Sequence, residues 1–330
     1  MNVMYATDDN YAEIMGVSIC SLLDKNKHVD EIIIYIVTDQ VSEGNKTKIT
    51  SMVEDYGRTV VYIEKPDIRG MLGVELKTLR WSDSAYSRLF LKKIFAPYPD
   101  VNKLLYLDCD TLIVDALDEL WKEEVENCLG AACLECMSNT HKKIVGADKN
   151  DNYVNTGMLL LNVKKWREEI IDDQMAHFIQ KYKGKTEYVD QGVINGTISN
   201  RFKLVSPRYN LTCLAYDFTY EEMQIYRKPQ FGYSKEEWEN AIAHPAVVHF
   251  TTSFLSIRPW FGESNHPYAQ MWDDYHSLSP WRDEQYRELQ NRDGKEQKMK
   301  VYYKVPRFVA IRLVGFLHSY VKPILYVIKK

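Results

Sequence analysis

Residues 104–111 read Leu-Leu-Tyr-Leu-Asp-Cys-Asp-Thr, an apolar run that ends in two carboxylates. The run predicts a strand over Lys103–Leu107 that is buried on both faces, as the strands of a parallel sheet are. Parallel sheets bind their ligands beyond the carboxyl ends of their strands. Asp108 and Asp110 therefore stand where a ligand of this sheet would lie.

The two acids are close enough in sequence for a turn to direct both side chains to one point. Neighbouring carboxylates with no basic residue beside them are unfavourable unless a cation lies between them. A divalent cation also neutralises a diphosphate, so Asp108 and Asp110 predict a metal ion that bridges the protein to a nucleotide. The alternative is a solvated turn in which an aspartate caps the following segment.

Strands and helices alternate on both sides of this stretch. Before it we predict strands at Val3–Thr7, Ile32–Val37 and Val60–Glu64, and helices at Tyr11–Leu23, Lys46–Tyr56 and Ala85–Ile94. After it we predict strands at Cys128–Leu134, Gly157–Val163 and Ala246–Phe250, a helix at Lys164–Tyr182, and a short helix or turn at Val189–Ile198. This alternation predicts an α/β domain with a mostly parallel sheet flanked by helices, followed by an aromatic-rich C-terminal extension.

The composition limits the class of protein. Of 330 residues, 45% are apolar and 27% charged, which excludes a disordered or collagen-like chain. The net charge of −4 argues against a nucleic-acid binder. Six scattered cysteines, which include a lone Cys133-Leu-Glu-Cys136 pair, predict buried free thiols in a reducing compartment. The N-terminus lacks the features of a signal peptide, so we expect a cytoplasmic protein.

Four further polar clusters lie at or near the predicted strands, and each is ambiguous alone. Asp8-Asp9-Asn10 follows the first strand and would cap a helix or hold a base or ribose hydroxyl. The simplest interpretation of Asn155-Thr156-Gly157 is a turn, and that of Asp190-Gln191 is a helix cap. His249 lies in a short apolar strand, where a lone histidine is more often a packing residue than a ligand.

Together and in this order, the motifs resemble those of the glycosyltransferase family 8 enzymes. These are retaining sugar transferases that include bacterial lipopolysaccharide galactosyl- and glucosyltransferases and glycogenin. The resemblance covers about residues 1–275. It rests on seven segments: Tyr5–Tyr11, Tyr86–Leu89, Leu105–Asp110, Asn155–Asn162, Asp190-Gln191, His249–Thr251 and Arg258–Trp260.

The resemblance implies a GT-A fold, which is a Rossmann-like nucleotide-diphospho-sugar transferase fold, with a UDP-sugar donor. It also implies that Asp108, Asp110 and His249 coordinate a Mn²⁺ ion, with Mg²⁺ as the alternative. Two carboxylates, one imidazole and phosphate oxygens suit Mn²⁺ better than Mg²⁺, which prefers oxygen ligands.

The same resemblance implies which residues hold the donor. Ala6, Asp8 and Asn10 would hold uridine, and Arg88 would hold the diphosphate or the sugar. The sugar site would consist of Asn155, Thr156 and Asp190 at the hydroxyls and Gln191 beneath the anomeric carbon.

The sequence departs from the family pattern His-x-x-Gly-x-x-Lys-Pro-Trp. Thr252 stands in place of the glycine, and Arg258 precedes Pro-Trp after three extra residues. A threonine still offers a hydroxyl and an N–H group, and an arginine pairs bidentately with phosphate. We therefore expect both residues to bind the diphosphate in an altered geometry.

The resemblance implies transfer of a hexose, galactose or glucose, to a saccharide or lipid-linked acceptor in cell-envelope polysaccharide synthesis. Gln191 is a poor nucleophile, which favours attack from the face of the leaving group over double displacement. Two other functions stay open from the sequence. The Asp-x-Asp motif also resembles that of the haloacid-dehalogenase phosphatases, and the altered glycine and lysine would suit a non-catalytic nucleotide-sugar-binding module.

Residues 297–330 carry eight lysines and arginines and no acid. We predict a transferase domain at 1–275 and an extension at 276–330, whose helix at about 306–322 attaches to anionic lipid on the inner face of the cell membrane. The charges are expected to exclude a spanning helix, and the alternative is a terminal helix packed on the domain. The two predicted faces are basic (Lys304, Arg307, Arg312, His318, Lys322) and apolar (Val309, Leu313, Phe316, Leu317, Tyr320, Val321).

Overall fold

Ten strands form the frame of the part of the chain that the computed structural model describes, residues 1–76, 83–230 and 232–328. In chain order they are β1 (Asn2–Asp8), β2 (Ile33–Asp39), β3 (Thr59–Glu64), β4 (Lys103–Leu107), β5 (Thr111–Ile113), β6 (Gly130–Leu134), β7 (Val154–Asn162), β8 (Phe202–Leu204), β9 (Leu211–Thr212) and β10 (Val247–His249).

Sixteen α-helices lie among the same described residues. They are α1 (Ala12–Lys25), α2 (Glu43–Asp55), α3 (Ile68–Leu72), α4 (Leu91–Ile94), α5 (Asp118–Lys122), α6 (Asn139–Ile144), α7 (Val163–Glu168), α8 (Ile171–Lys181), α9 (Asp190–Thr197), α10 (Leu214–Asp217), α11 (Tyr220–Arg227), α12 (Lys235–Ala243), α13 (Ala269–Leu278), α14 (Arg292–Lys304), α15 (Arg307–Phe316) and α16 (Lys322–Ile328).

Seven strands form one mixed sheet in the order β3-β2-β1-β4-β7-β6-β8. Four neighbouring pairs are parallel, and β7 runs antiparallel to both β4 and β6. Side chains alternate between two buried clusters, so that Val3 and Tyr5 enter one while Met4 and Ala6 enter the other. This confirms the predicted mostly parallel sheet flanked by helices, and it explains why these strands are apolar at nearly every position.

The register of the central strands determines where the polar strand ends meet. Strand β1 is parallel to β4, with Val3 paired to Leu105 and Met4 to Tyr106. Asp8 at the end of β1 and Asp108 just after β4 therefore leave the sheet at the same edge. A crevice beyond this edge is the usual ligand site of such a sheet.

A second, three-stranded sheet has the order β5-β10-β9. Strand β10 is antiparallel to β5, and this register pairs His249 with Thr111, one residue after Asp110. The pairing brings His249 next to Asp110, although the two residues are 139 positions apart in the chain.

Several predicted elements have different bounds in the structure. The predicted helix at Ala85–Ile94 is a 3-10 helix, Asp83–Leu89, followed by the short α4. The predicted helix at Lys164–Tyr182 is two helices, because Ile170 has a positive φ of 54° and breaks the chain direction between α7 and α8. Strand β7 starts at Val154, so Asn155, Thr156 and Gly157 belong to a strand and not to a turn before it.

Residues after 276 contact the α/β body closely. Trp281 is buried against α1, and a Cβ atom on Gly16 would lie 2.1 Å from its ring. Arg287 forms an ion pair of 2.9 Å with Glu13 of the same helix. The 275/276 boundary between domain and extension stays a prediction.

The chain ends in a continuous helix that consists of α15, a π-helical turn at Leu317–Val321, and α16. Over Arg307–Ile328 this helix has 22 residues and a mean hydropathy of 1.4 in its most apolar window, of which 28% is buried. By length and composition alone it is long and apolar enough to cross a membrane. The expectation that its charges exclude a span is therefore wrong.

Three of the five residues of the predicted basic face contact other parts of the protein. Arg307 donates to Glu222 at 2.7 Å, and Lys322 donates to the Tyr188 hydroxyl at 2.7 Å. The His318 ring lies 3.2 Å from Arg227, and burial together with that cation lowers the pKa of His318, so the ring is neutral at physiological pH. The exposed side of the helix is apolar: Phe308, Leu313, Phe316, Leu317, Tyr320, Ile324, Leu325, Val327 and Ile328.

Candidate functional site

The backbone around the two aspartates is fixed by the neighbouring strands. The Asp108 N–H donates to the Gly157 carbonyl at 2.8 Å, and the Asp110 carbonyl accepts from the Phe250 N–H at 2.9 Å. The Thr111 hydroxyl donates to the Asp108 carbonyl at 2.8 Å. The turn after β4 is thereby held between β7 and β10, and both carboxylates are placed by rigid elements.

The structure brings the three predicted metal ligands together. One ligand atom from each of Asp108, Asp110 and His249 lies within 4.8 Å of the others. The His249 Nε2 atom is 3.1 Å from Asp110 Oδ1 and 3.6 Å from Asp108 Oδ2. The imidazole is buried, and both carboxylates are partly exposed.

Gly157 leaves the space that His249 occupies. A Cβ atom at this position would lie 2.2 Å from His249 Cε1, a contact that would displace the ring. A glycine within a strand often marks such a close approach. The glycine of the Asn155-Thr156-Gly157 motif is therefore needed to make room for the His249 ring.

A chain of hydrogen bonds determines which nitrogen of His249 carries a proton. The Glu135 carboxylate accepts from Asn155 Nδ2 at 2.6 Å, so Asn155 Oδ1 is left as the acceptor for Asn210 Nδ2, at 2.8 Å. Asn210 Oδ1 then faces His249 Nδ1 at 2.9 Å and must accept its proton. The network therefore assigns the lone pair of the neutral imidazole to Nε2, the nitrogen that faces the two aspartates.

Two arginines balance the acids. Arg88 is buried, donates to Asp108 at 2.8 Å, lies 3.3 Å from Asp190, and stacks over the Tyr106 ring at 4.0 Å. Burial opposes the charge of Arg88, but the two carboxylates outweigh it and raise its pKa. Arg258 lies 3.3 Å from Asp110. Each metal-ligand carboxylate is thus paired with a fixed cation.

Burial and charge also shift the pKa values of the other groups. Burial would raise the pKa of Asp110, but His249 and Arg258 outweigh it and lower the pKa. Burial would lower the pKa of His249, but the two aspartates outweigh it and raise the pKa. Burial raises the pKa of Asp190 despite the charge of Arg88. The two aspartates thus favour positive charge at His249, and a divalent cation bound there would supply such charge.

The three side chains fit a divalent cation that accepts both oxygen and nitrogen ligands. Two carboxylate oxygens and one imidazole nitrogen converge, the imidazole has the correct tautomer, and a glycine makes room for the ring. Such a mixed oxygen and nitrogen set is typical of Mn²⁺ and Zn²⁺ sites, whereas Mg²⁺ prefers oxygen ligands. These residues could therefore hold Mn²⁺ with positions left for a ligand.

The predicted uridine residues lie at the end of β1. The Ala6 carbonyl accepts from the Cys109 thiol, which ties β1 to the turn after β4. Asp8 caps the 3-10 helix Asp9–Tyr11 by accepting from the Tyr11 N–H at 3.2 Å, so the capping interpretation holds for this residue. Asn10 is exposed. Their contacts with a base stay a prediction.

The predicted sugar residues form one cluster beside Arg88. The Thr156 hydroxyl donates to Asp190 Oδ2 at 2.7 Å, and the Thr156 carbonyl accepts from Arg88 at 2.8 Å. Gln191 Oε1 accepts from the Thr156 N–H at 3.4 Å, which leaves the Gln191 NH2 group to donate elsewhere. Asn155 is held by Glu135, as described above. All four side chains are therefore oriented by the protein.

The two residues that depart from the family pattern contact each other. Arg258 donates to the Thr252 hydroxyl at 2.9 Å. Among the described residues, the buried Nε atom of Arg258 has no hydrogen-bond partner. An arginine with an unused N–H beside a metal-ligand cluster is suited to a phosphate oxygen.

Three residues that act through others were not predicted from the sequence. Asn210 and Glu135 set the tautomer of His249, and the Tyr106 hydroxyl donates to Asp108 at 2.8 Å. Tyr106 was expected only as an apolar residue of the buried strand, and Asn210 and Glu135 lie outside the segments of the family resemblance. Asn210 follows an irregular stretch with no periodic pattern, so only the tertiary structure identifies its partner.

The model of the family described as "Glycosyl transferase family 8" matches residues 2–263 of the chain. A putative glycosyltransferase of Haemophilus influenzae is 30% identical over 217 residues, which are 64% of this chain and 63% of that protein. A lipopolysaccharide 1,2-glucosyltransferase of Escherichia coli is 23% identical over 305 residues, or 91% of this chain and 84% of that protein. The predicted family resemblance is confirmed.

Solved structures agree on the fold. The galactosyltransferase LgtC, in complex with donor and acceptor sugar analogs, superposes with a TM-score of 0.71 at 22% identity, over 89% of this chain and 100% of that chain. The bifunctional glycosyltransferase WbbM has a TM-score of 0.66 at 19% identity, over 86% of this chain and 50% of that chain. The GT-A fold is therefore confirmed.

We predict that Asn210→Ala weakens Mn²⁺ binding by about tenfold to a hundredfold, because His249 loses the acceptor that keeps its lone pair on Nε2. Isothermal titration calorimetry of the folded variant measures this change. Asn200→Ala is the control, since this exposed asparagine donates to Asp151 and takes no part in the His249 network, so it should keep the wild-type affinity. Equal Mn²⁺ affinity in Asn210→Ala and wild type would show that Asn210 does not set the tautomer.

Proposed function

We propose that this chain, which belongs to glycosyltransferase family 8 and is a glycosyltransferase, transfers a hexose from a UDP-sugar to a saccharide or lipid-linked acceptor with retention of configuration. The observation that carries the proposal is the convergence of Asp108, Asp110 and His249 at the carboxyl edge of the sheet. Because the chain belongs to this family, we do not propose the phosphatase activity that the Asp-x-Asp motif also suggested.

The names of two similar proteins support the class of donor and acceptor. One is a lipopolysaccharide 1,2-glucosyltransferase and the other is a galactosyltransferase. We therefore propose galactose or glucose as the sugar and a cell-envelope polysaccharide as the product.

The metal that we propose is Mn²⁺, held by Asp108, Asp110 and His249. When bound, it supplies positive charge that offsets the charge of the diphosphate and of the departing UDP. Arg258 is proposed to offset the charge of the diphosphate as well. Its Nε–H, which has no partner among the described residues, is the donor available for this. Thr252, which Arg258 holds by its hydroxyl, completes the proposed diphosphate contacts.

The rest of the donor is proposed to extend along the edge of the sheet. Uridine lies at the end of β1, against Ala6, Asp8 and Asn10. Arg88 is buried and contacts four acceptors of the protein, which favours a role in orienting Asp108 and Asp190 over a direct phosphate contact. The sugar hydroxyls lie against Asn155, Thr156 and Asp190.

The side chains beneath the sugar favour attack from the face of the leaving group. Gln191 carries an amide, which is a poor nucleophile, and its oxygen already accepts from Thr156. Asp190 uses Oδ2 for both Thr156 and Arg88. We propose that these residues orient the sugar, and that the acceptor hydroxyl attacks on the face from which UDP departs.

Turnover with UDP-galactose and UDP-glucose tests the proposed reaction. With Mn²⁺ and a lipid-linked saccharide acceptor, we expect UDP release that requires the acceptor, and a product whose anomeric configuration by NMR matches the donor. Asp110→Asn should lower turnover at least about a hundredfold, because it removes a ligand of the charge-stabilising cation.

Asp115→Asn is the matched control, since this exposed aspartate follows β5 and pairs with Arg208 away from the cluster. It should keep wild-type turnover. Two outcomes contradict the proposal: full turnover of Asp110→Asn, or UDP-hexose binding by wild type without release or transfer, which would instead support a non-catalytic binding module.

We further propose that the protein is cytoplasmic and attaches peripherally to the inner face of the cell membrane through Arg307–Ile328. The support comes mainly from the apolar side of the helix, which is exposed, because Arg307 and Lys322 of the predicted basic face contact the protein. A row of exposed apolar side chains along one helix is suited to the acyl boundary of a bilayer. Arg312 and Lys304 stay exposed and can contact anionic head groups.

A triple variant at Leu313, Phe316 and Leu317, each changed to Ser, tests the attachment. We expect its partitioning to vesicles to fall at least about tenfold, because the variant removes apolar surface that would enter the bilayer. Sedimentation with neutral and with anionic vesicles measures the change. The control changes three exposed apolar residues elsewhere, Met71, Ile170 and Leu278, to Ser. Equal partitioning of the triple variant and wild type would contradict the attachment.

A further inference from the structure

The loop between Thr252 and Arg258 carries the extra residues of this chain, and two charged side chains from elsewhere hold it. Asp217, at the end of α10, accepts hydrogen bonds from the hydroxyls of Ser253 and Ser256. Lys295, from α14, donates to the backbone carbonyl of Ser253 at 3.0 Å and to that of Ser256. Asp217 thus holds the side chains of the loop, and Lys295 holds its backbone.

The same two serines shape the loop internally. The Ser253 hydroxyl accepts from the backbone N–H groups of Leu255 at 3.0 Å and of Ser256 at 3.4 Å. Asn265 continues the support, since its amide accepts from the Ile257 N–H and donates to the Leu255 carbonyl, each at 2.8 Å. The polar groups of the loop are therefore engaged up to the residue before Arg258.

Lys295 lies in an environment that disfavours an ammonium group. Burial and the nearby positive charge of Arg258 lower its pKa, while Asp217 favours the charged form. An ammonium group without acceptors would be unfavourable there. Within the described part of the chain, its hydrogen-bond acceptors are the two loop carbonyls, so the position of the loop and that of Lys295 depend on each other.

We propose that Lys295 is a positioning residue for the diphosphate of the donor. By holding the Ser253 and Ser256 carbonyls, it places Thr252 and Arg258 at the two ends of the loop against the metal-ligand cluster, where Arg258 lies 3.3 Å from Asp110. The inference rests on the proposed diphosphate role of Thr252 and Arg258. It assigns to the C-terminal extension a part in donor binding that is separate from membrane attachment.

A comparison of UDP with uridine separates this role from general stability. Lys295→Met in the full-length protein is expected to weaken UDP binding with Mn²⁺ by about tenfold to a hundredfold, because the loop no longer holds its phosphate-facing groups in place. Uridine lacks the diphosphate, so its affinity should stay at the wild-type value. Calorimetry of both ligands measures the ratio.

Two further variants make the result specific. Lys295→Arg keeps donors for the loop carbonyls and should restore UDP affinity to within about threefold of wild type. Lys298→Met removes an exposed lysine of the same helix and should change neither affinity. If Lys295→Met does not fold, the same ratio of UDP to uridine affinity in Lys295→Gln, which keeps one neutral donor, gives the answer.

The possible outcomes are distinct. A selective loss of UDP affinity that Lys295→Arg restores supports the inference. An equal loss for UDP and uridine, or no loss for either, overturns it and leaves the proposed function intact. A wild-type protein that binds no UDP with Mn²⁺ would instead overturn the proposed function and, with it, the diphosphate that Lys295 is proposed to position.

Discussion

The site depends on the direction of one chain of hydrogen bonds. A carboxylate can only accept, so Glu135 determines the orientation of the Asn155 amide, which determines that of Asn210. Asn210 in turn keeps the proton of His249 on Nδ1. The free lone pair on His249 Nε2, which a metal ion shared with the two aspartates requires, is therefore set three side chains away, by Glu135 just after β6.

The second constraint is the crowding of acids around one buried cation. Arg88 lies within 3.3 Å of both Asp108 and Asp190. It contacts these two carboxylates and two backbone carbonyls, and its plane stacks on Tyr106. The acids are thus oriented by a fixed cation before a ligand arrives, as in a preorganised electrostatic site.

Much of this could be predicted from the sequence where the pattern is local. Strand β4 and the two acids after it follow from one apolar run, and β10 was expected because its residues are apolar. The pairing of β10 with β5 could not be predicted, since β5 has three residues and no periodic signal. For that reason His249 could be associated with the acids only through the family resemblance.

The C-terminal helix shows the limit of periodicity. The two faces were identified, but a helical wheel does not say which face meets the protein. Glu222, Tyr188 and Arg227 bind the polar face, and these partners lie about 85 to 134 residues away in sequence. Small residues such as Gly315 allow the helix to pack closely, since a Cβ there would lie 2.6 Å from the Ile225 carbonyl.

The central claim is that Asp108, Asp110 and His249 share one cation. Pulsed EPR of bound Mn²⁺ in protein labelled with 15N-histidine tests it most directly. The account predicts hyperfine coupling to a single imidazole nitrogen, which disappears in His249→Gln while the other histidines stay labelled. Bound Mn²⁺ without any 15N coupling, or a coupling that persists in His249→Gln, would contradict the account.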